Sequence, residues 1–239
     1  MIKIVGLTKR FGNFTAVDSL NIEIPAGEFY GILGPNGAGK TTTIKMMTGL
    51  FAPTSGTISI GGYDILRSPT EAKRCTGYIP DQPFLYEKLT GREFLYFSAG
   101  LYNLGHAATT ARISDLISAL EIDTWIDRRA EHYSQGMRQR IAIASGLLHD
   151  PKVLVIDEPM IGLDPRSAHV VKQVLKEKSR SGTSIFMSTH SVPVVEELCH
   201  RVGIVKQGKL IFEDTISSLH ALKEQHDGNL ESLFLELTK

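Results

Sequence analysis

The chain has 239 residues, of which 26 are basic and 26 acidic, so its formal net charge is zero. That balance gives no overall field to draw it onto nucleic acid or anionic lipid. Two cysteines, Cys75 and Cys199, far apart in sequence, argue against a disulfide framework. No apolar run reaches the roughly 18 residues of a membrane span, and the amino terminus lacks the apolar core of a signal peptide. The length suits one large domain, or one domain with an insertion, with a sizeable core.

The first predicted elements are strands, Ile2 to Leu7 and Ala16 to Ile24, rich in β-branched residues and joined through a turn at Gly12-Asn13. Asn21-Ile22-Glu23-Ile24 alternates, so one side of that strand is expected to face water. Phe29 to Leu33 is apolar almost throughout and reads as a central strand.

That strand leads into Gly34-Pro35-Asn36-Gly37-Ala38-Gly39-Lys40-Thr41, followed by Thr42. Three glycines let the backbone bend around a phosphate chain with its N–H groups inward, and the helix that starts at Lys40 turns its positive end to the same anion. Lys40 then supplies charge for the β and γ phosphates, and the Thr41 hydroxyl a ligand for Mg²⁺. A nucleotide phosphate chain and Mg²⁺ are the expected ligand and metal. Ile44, Met46, Met47 and Leu50 give the following helix its apolar side, and Gly49 suits its stop. Thr57 to Ile60 and Thr76 to Pro80 are further strand candidates.

From Thr90 to about Asp150 the pattern turns helical. Thr90 and Glu93 have capping-box spacing, and Phe94, Leu95, Phe97, Leu101 and Leu104 follow. A second helix carries Ile113, Leu116, Ile117 and Leu120, and a third runs from about Gly136 to Leu148. The return to a buried strand at Val153 to Ile156 makes this block a helical insertion, residues 89–150, in an α/β core of residues 1–88 and 151–215. Beyond that strand come a helix (Pro165 to Arg180), a strand (Thr183 to Ser188), a helix (Ser191 to His200) and a hairpin around Gly208. The alternation predicts a mostly parallel sheet covered on both faces. A tail, residues 216–239, places Leu230, Leu233, Phe234 and Leu237 at helical spacing.

A metal-binding carboxylate at a buried strand's exit separates hydrolysis from mere phosphate binding. Val153-Leu154-Val155-Ile156-Asp157-Glu158 supplies one: Asp157 at the exit, to hold Mg²⁺ with Thr41, and Glu158 beyond it, free to act on water.

With these motifs the sequence resembles the nucleotide-binding subunit of an ABC transporter, from Leu7-Thr8-Lys9-Arg10-Phe11-Gly12 to Gly208. The most specific element is Tyr133-Ser134-Gln135-Gly136-Met137-Arg138-Gln139-Arg140, which looks like the family signature. The resemblance implies a P-loop NTPase core with an N-terminal antiparallel β part. Ser134 and Gly136 would contact ATP held by an opposite subunit, and Phe11 would stack on adenine. Gly162-Leu163-Asp164 would link the two ATP sites, and His190 would contact the γ-phosphate region. The loop after Tyr78-Ile79-Pro80 reads Asp81-Gln82, one position late for the family's glutamine. Either residue could sense Mg²⁺ and the attacking water, and Gln82 is the expectation. Met137 and Met160-Ile161 also depart from the pattern, without removing a phosphate-binding group.

The implied function is an ATPase that energises a separate membrane permease as a homodimer or heterodimer. The departures at Asp81-Gln82 and Met137 look like the branch that pairs with ABC-2-type permeases, mostly exporters. Such a subunit is cytoplasmic and peripheral on the inner face of the membrane, with no nucleic acid partner. Pro83-Phe84-Leu85-Tyr86 is expected either to be core or to border a groove for a permease helix. Alternatives are a soluble cassette ATPase of translation, chromosomes or iron–sulfur assembly, and a binding module that no longer hydrolyses ATP. Intact Lys40, Asp157, Glu158 and His190 weigh against the last.

Overall fold

The computed structural model of the chain describes residues 1–219 and Phe234. Two sheets organise it. One is antiparallel, with β1 (Ile2–Phe11), β2 (Phe14–Ile24), β4 (Ser55–Ile60) and β5 (Tyr63–Asp64) in the order β2-β1-β4-β5. The other contains β3 (Phe29–Leu33), β6 (Thr76–Ile79), β7 (Val153–Asp157), β8 (Ser184–Thr189), β9 (Arg201–Lys206) and β10 (Lys209–Thr215), in the order β10-β9-β3-β8-β7-β6. Its pairings are parallel except for the hairpin β9–β10.

The central strands β3, β7 and β8 are buried on both faces, which is why β3 and β7 read as apolar runs. Successive side chains still alternate between two cores. Phe29, Leu33, Leu154, Ile156, Ile185 and Met187 join the core shared with the helices after residue 90. Tyr30, Ile32, Val153, Val155 and Phe186 point the other way, into the core closed by the antiparallel sheet and the helix after the glycine loop. There Tyr30 and Phe186 stack with ring centroids 5.8 Å apart.

The helices are α1 (Lys40–Met47), α2 (Pro69–Arg74), α3 (Gly91–Leu101), α4 (His106–Ala119), α5 (Gln135–Leu147), α6 (Pro165–Arg180) and α7 (Val192–Leu198), with a short 3-10 turn at Ala130–His132. Thr90 opens α3 with the anticipated capping box: its hydroxyl accepts from Glu93 N at 3.1 Å, and its own N–H donates to Glu93 Oε2 at 2.8 Å. Asp164 caps α6, accepting from Ser167 N at 3.0 Å, with Pro165 pre-set for the first turn.

Several expectations need correction. The helix after the glycine loop begins at Lys40 and stops at Met47, so Leu50 lies beyond it, exposed rather than on its apolar side. Phe97 and Leu101 are exposed although Leu95 of the same helix is buried. The helix expected from Ser191 to His200 is shorter, and His200 instead accepts the Phe29 N–H on its Nδ1 at 3.0 Å. The short elements β5 and α2 carry too few residues for a periodic signal in the sequence. In the tail, Phe234 is half-buried against the helical core, while Leu230, Leu233 and Leu237 lie outside the described residues. Among the described residues, no helix is long and apolar enough to cross a membrane.

Candidate functional site

The strand order brings four parallel carboxyl ends side by side. β3 runs into the loop Gly34–Gly39, β8 ends at Thr189 before His190, β7 ends at Asp157 before Glu158, and β6 leads to Asp81. An open α/β sheet binds ligands at this edge. A cleft of about 420 Å³ lies there, lined by Phe14, Ala16, Asn36 to Thr42, Asp81, Glu158, Ile161 and His190.

The glycine loop is built around one close approach. At Gly39, which precedes α1 with φ 106°, a Cβ would lie 2.5 Å from the Ala16 carbonyl oxygen. Only glycine fits. Lys40 is buried under the loop and donates through Nζ to the Gly34 and Pro35 carbonyls at 2.7 and 3.1 Å. These bonds use two of its three N–H groups and leave one for an anion. Burial lowers its pKa, and the charges of Glu158 and Asp157 work against that shift.

Asp157 is 1% exposed. Its Oδ1 accepts from the Ser188 hydroxyl, while its Oδ2 is buried with no hydrogen-bond partner. Burial raises its pKa, opposed by the hydroxyls of Ser188 and Thr41 and reinforced by the negative charges of Asp81 and Glu158. A buried carboxylate oxygen without a partner is costly. Beside the Thr41 hydroxyl it has the character of a hard-cation ligand set of the kind Mg²⁺ takes.

Glu158 follows with φ 47°, in the left-handed region that residues with a Cβ rarely adopt. The turn brings its carboxylate to the cleft, where Oε1 lies 2.8 Å from His190 Nδ1. The Glu158 side chain is mostly buried and the His190 side chain is 60% exposed, so the pair sits at the boundary between core and solvent.

Of the two residues that could sense Mg²⁺ and the attacking water, the structure brings one to the cleft. Asp81 lines the cleft, whereas Gln82 is exposed, does not line it, and donates its backbone N–H to Asp81 Oδ1 at 2.9 Å. Tyr78, two residues before Pro80, has its pKa pushed up to about 12 by burial and by the charges of Asp157 and Asp81. Asp81 therefore contributes to the field at Asp157.

Two aromatic residues face each other across the β1–β2 hairpin beside the cleft. Phe14 lines it, while Phe11, its partner across the β1–β2 hairpin, packs edge-on against Phe51 at 5.7 Å with Lys9 Nζ 5.0 Å from its ring. The sequence reading missed Phe14 and Ile161. Phe14 could have been found from the hairpin, because two aromatics flanking Gly12-Asn13 face each other in register.

Ser134 and Gly136 do not line this chain's own cleft. Ser134 caps α5, accepting from Met137 N at 3.2 Å. Gly136 packs against the loop that ends at Asp164: a Cβ there would lie 2.8 Å from the Gly162 carbonyl oxygen.

A sequence-family profile described as "ABC transporter" matches residues 17–161. The chain is 35% identical over 219 residues to the linearmycin resistance ATP-binding protein LnrL of Bacillus subtilis (strain 168), covering 92% of this chain and 70% of that protein. It is 37% identical over 234 residues to the probable multidrug ABC transporter ATP-binding protein YbhF of Escherichia coli (strain K12), covering 97% of this chain but only 40% of that longer protein. A solved structure described as the ATP binding subunit of an ABC transporter superposes with a TM-score of 0.92 at 31% identity, over 100% of both chains. The glycine loop, the carboxylates at the exit of β7 and the capped start of α5 thus sit on a fold and in a sequence context already known, and the chain belongs to the ABC transporter family.

Proposed function

We propose that this chain is the ATP-binding and ATP-hydrolysing subunit that energises a separate membrane permease, an exporter of ABC-2 type, through ATP-driven pairing of two cassettes. The observation that carries the reading is the convergence of Lys40, Glu158 and His190 on one cleft at the carboxyl ends of adjacent strands, with Asp157 buried at the end of β7 and its charge felt by Lys40. The names of the relatives, a resistance ATP-binding protein and a probable multidrug transporter, support the exporter reading.

In this reading the N–H groups of Gly34 to Gly39 and the start of α1, with Thr41 and Thr42, cradle the phosphates, and Lys40 gives its free N–H to a phosphate oxygen. Thr41 and Asp157 would hold Mg²⁺, which when bound would offset phosphate charge and relieve the partnerless Asp157 Oδ2. Glu158 accepts the proton of the attacking water, with His190 orienting its carboxylate. Asp81, which lines the cleft, would take the Mg²⁺- and water-sensing role expected of Gln82. The base is held at the hairpin end by Phe14 or Phe11, since either ring offers a π face.

Ser134 and Gly136 complete the site of a facing subunit, in keeping with their distance from this chain's own cleft. The permease meets an exposed aromatic surface. Leu85 is core, but Phe84 is 76% exposed, and Tyr86 stacks edge-on with Phe84 and Phe97 at 5.6 and 5.4 Å. Such rings suit a helix-in-groove contact. Held by the permease, the subunit would sit on the inner face of the membrane.

Steady-state phosphate release from ATP by the purified chain, with and without Mg²⁺, tests the reading. Metal-dependent turnover lost on Glu158→Gln with ATP binding retained supports it. Turnover unaffected by that substitution overturns it.

A further inference from the structure

Glu158 sits on a backbone that is not relaxed, with φ 47°. Such a conformation persists only where its surroundings hold it. Within the turn, Glu158 N donates to the Ser188 carbonyl at 3.1 Å and Ile161 N to the Glu158 carbonyl at 3.3 Å. A further tie comes from a separate element. Gln139, on α5 and only 1% exposed, donates its Nε2 to the Pro159 carbonyl at 3.4 Å. The same helix start meets the far end of the loop. A Cβ at Gly162 would come within 2.6 Å of the Gln135 side chain, and one at Gly136 within 2.8 Å of the Gly162 oxygen.

We infer that Gln139 is a positioning residue for Glu158: its buried amide holds the Pro159 carbonyl, and with it the turn that aims the Glu158 carboxylate into the cleft. A buried amide is retained at a cost unless it makes such a bond. The consequence goes beyond orientation within one site. Gln139 lies one helical turn from Ser134 and Gly136, the residues read as facing the partner's nucleotide. One rigid helix therefore connects the seating of that nucleotide with the carboxylate of this chain's own cleft. The inference rests on the reading of Glu158 as the group that accepts the water proton.

Two substitutions in the full chain test it. Gln139→Met keeps the volume and removes the donor. Gln139→Glu keeps the shape, and its carboxyl can donate to the Pro159 carbonyl only when protonated. At about pH 8 both are expected to lower kcat about tenfold, with KM for ATP and nucleotide affinity changed by less than about twofold, as misaimed catalytic groups do. A buried carboxyl titrates at raised pH. As pH is lowered toward about 6, turnover of Gln139→Glu relative to wild type should recover, while that of Gln139→Met should not, because only the former regains a donor.

A kcat of Gln139→Met within about twofold of wild type, a defect confined to KM, or parallel pH profiles for the two variants would each overturn the inference. Should circular dichroism show Gln139→Met to be unfolded, the pH ratio of Gln139→Glu decides alone. Glu158→Gln, run in the same assay, separates the two readings. Full turnover there removes the catalytic role of Glu158, whereas loss there with normal turnover in Gln139→Met removes only the role of Gln139.

Discussion

Glu158 and His190 come from the ends of neighbouring parallel strands, and their side chains meet with Oε1 2.8 Å from Nδ1. Because Glu158 is turned by a positive φ while His190 follows β8 directly, the contact depends on the loop after Asp157. Removing the carboxylate charge without changing its shape should leave ATP binding intact. Glu158→Gln is expected to lower turnover by about 10²- to 10⁴-fold, the usual contribution of a general base. His190→Ala should reduce turnover less, since it leaves the Glu158 carboxylate in place. Phosphate release under single-turnover conditions measures both.

The position of Asp81 makes a separate prediction. Asp81→Ala should impair hydrolysis and its Mg²⁺ dependence, because it removes a carboxylate from the cleft. Gln82→Ala, at an exposed position away from the cleft, should change turnover by less than about twofold, within the small effect of most surface substitutions. Titrating activity with Mg²⁺ distinguishes them, and the reverse order would return the role to Gln82.

Asp157 should be a residue that function keeps at the expense of stability. Its pKa is raised in the folded chain, chiefly by burial. A carboxyl whose folded pKa exceeds its unfolded value stabilises the fold at low pH and loses that contribution as pH rises through the folded pKa. Once ionised, the metal-free side chain is therefore a burden. Asp157→Asn should abolish Mg²⁺-dependent turnover yet raise the Tm of the metal-free protein, by about 2–4 °C for each kcal/mol relieved. The gain should vanish at acid pH, and Mg²⁺ with ATP should narrow it. A lower Tm at neutral pH in the absence of metal would contradict this account.

Pairing of cassettes is checked with Glu158→Gln, which should hold ATP without consuming it. Analytical ultracentrifugation should find a dimer with ATP and a monomer without it. Gly136→Ala should oppose dimerisation, since even a methyl group would meet the Gly162 carbonyl at 2.8 Å and move the start of α5. A monomer at saturating ATP in Glu158→Gln would argue against the two-subunit site.

The aromatic surface predicts a separation of functions. Tyr86→Ala and Phe84→Ala should keep the basal ATPase of the isolated chain, because neither ring lines the cleft. Recovery with permease-containing membranes should fall. Phe84→Ala is the cleaner test, as Tyr86 also packs on Phe94 at 6.3 Å. Full membrane recovery of both variants would remove this stretch from the interface.

Local sequence determined what depends on local physics. The apolar runs of β3 and β7, the Thr90–Glu93 capping box and the spacing of Gly34 to Thr41 each act within a few residues, so they could be read before any fold was known. The carboxylates Asp157 and Glu158 at the exit of β7 are legible for the same reason. Tertiary structure alone decided the rest. Asp81 rather than Gln82 enters the cleft because β6 pairs beside β7 and sets where its following loop points. Phe14 rather than Phe11 lines it because Phe51, from the segment after α1, engages the Phe11 ring. Gln139 meets Pro159 only because α5 packs across the loop twenty residues further along the chain. Contacts of that kind depend on how separate elements stack and pair, and no periodicity or motif within one segment encodes which side chain of a neighbouring segment will arrive.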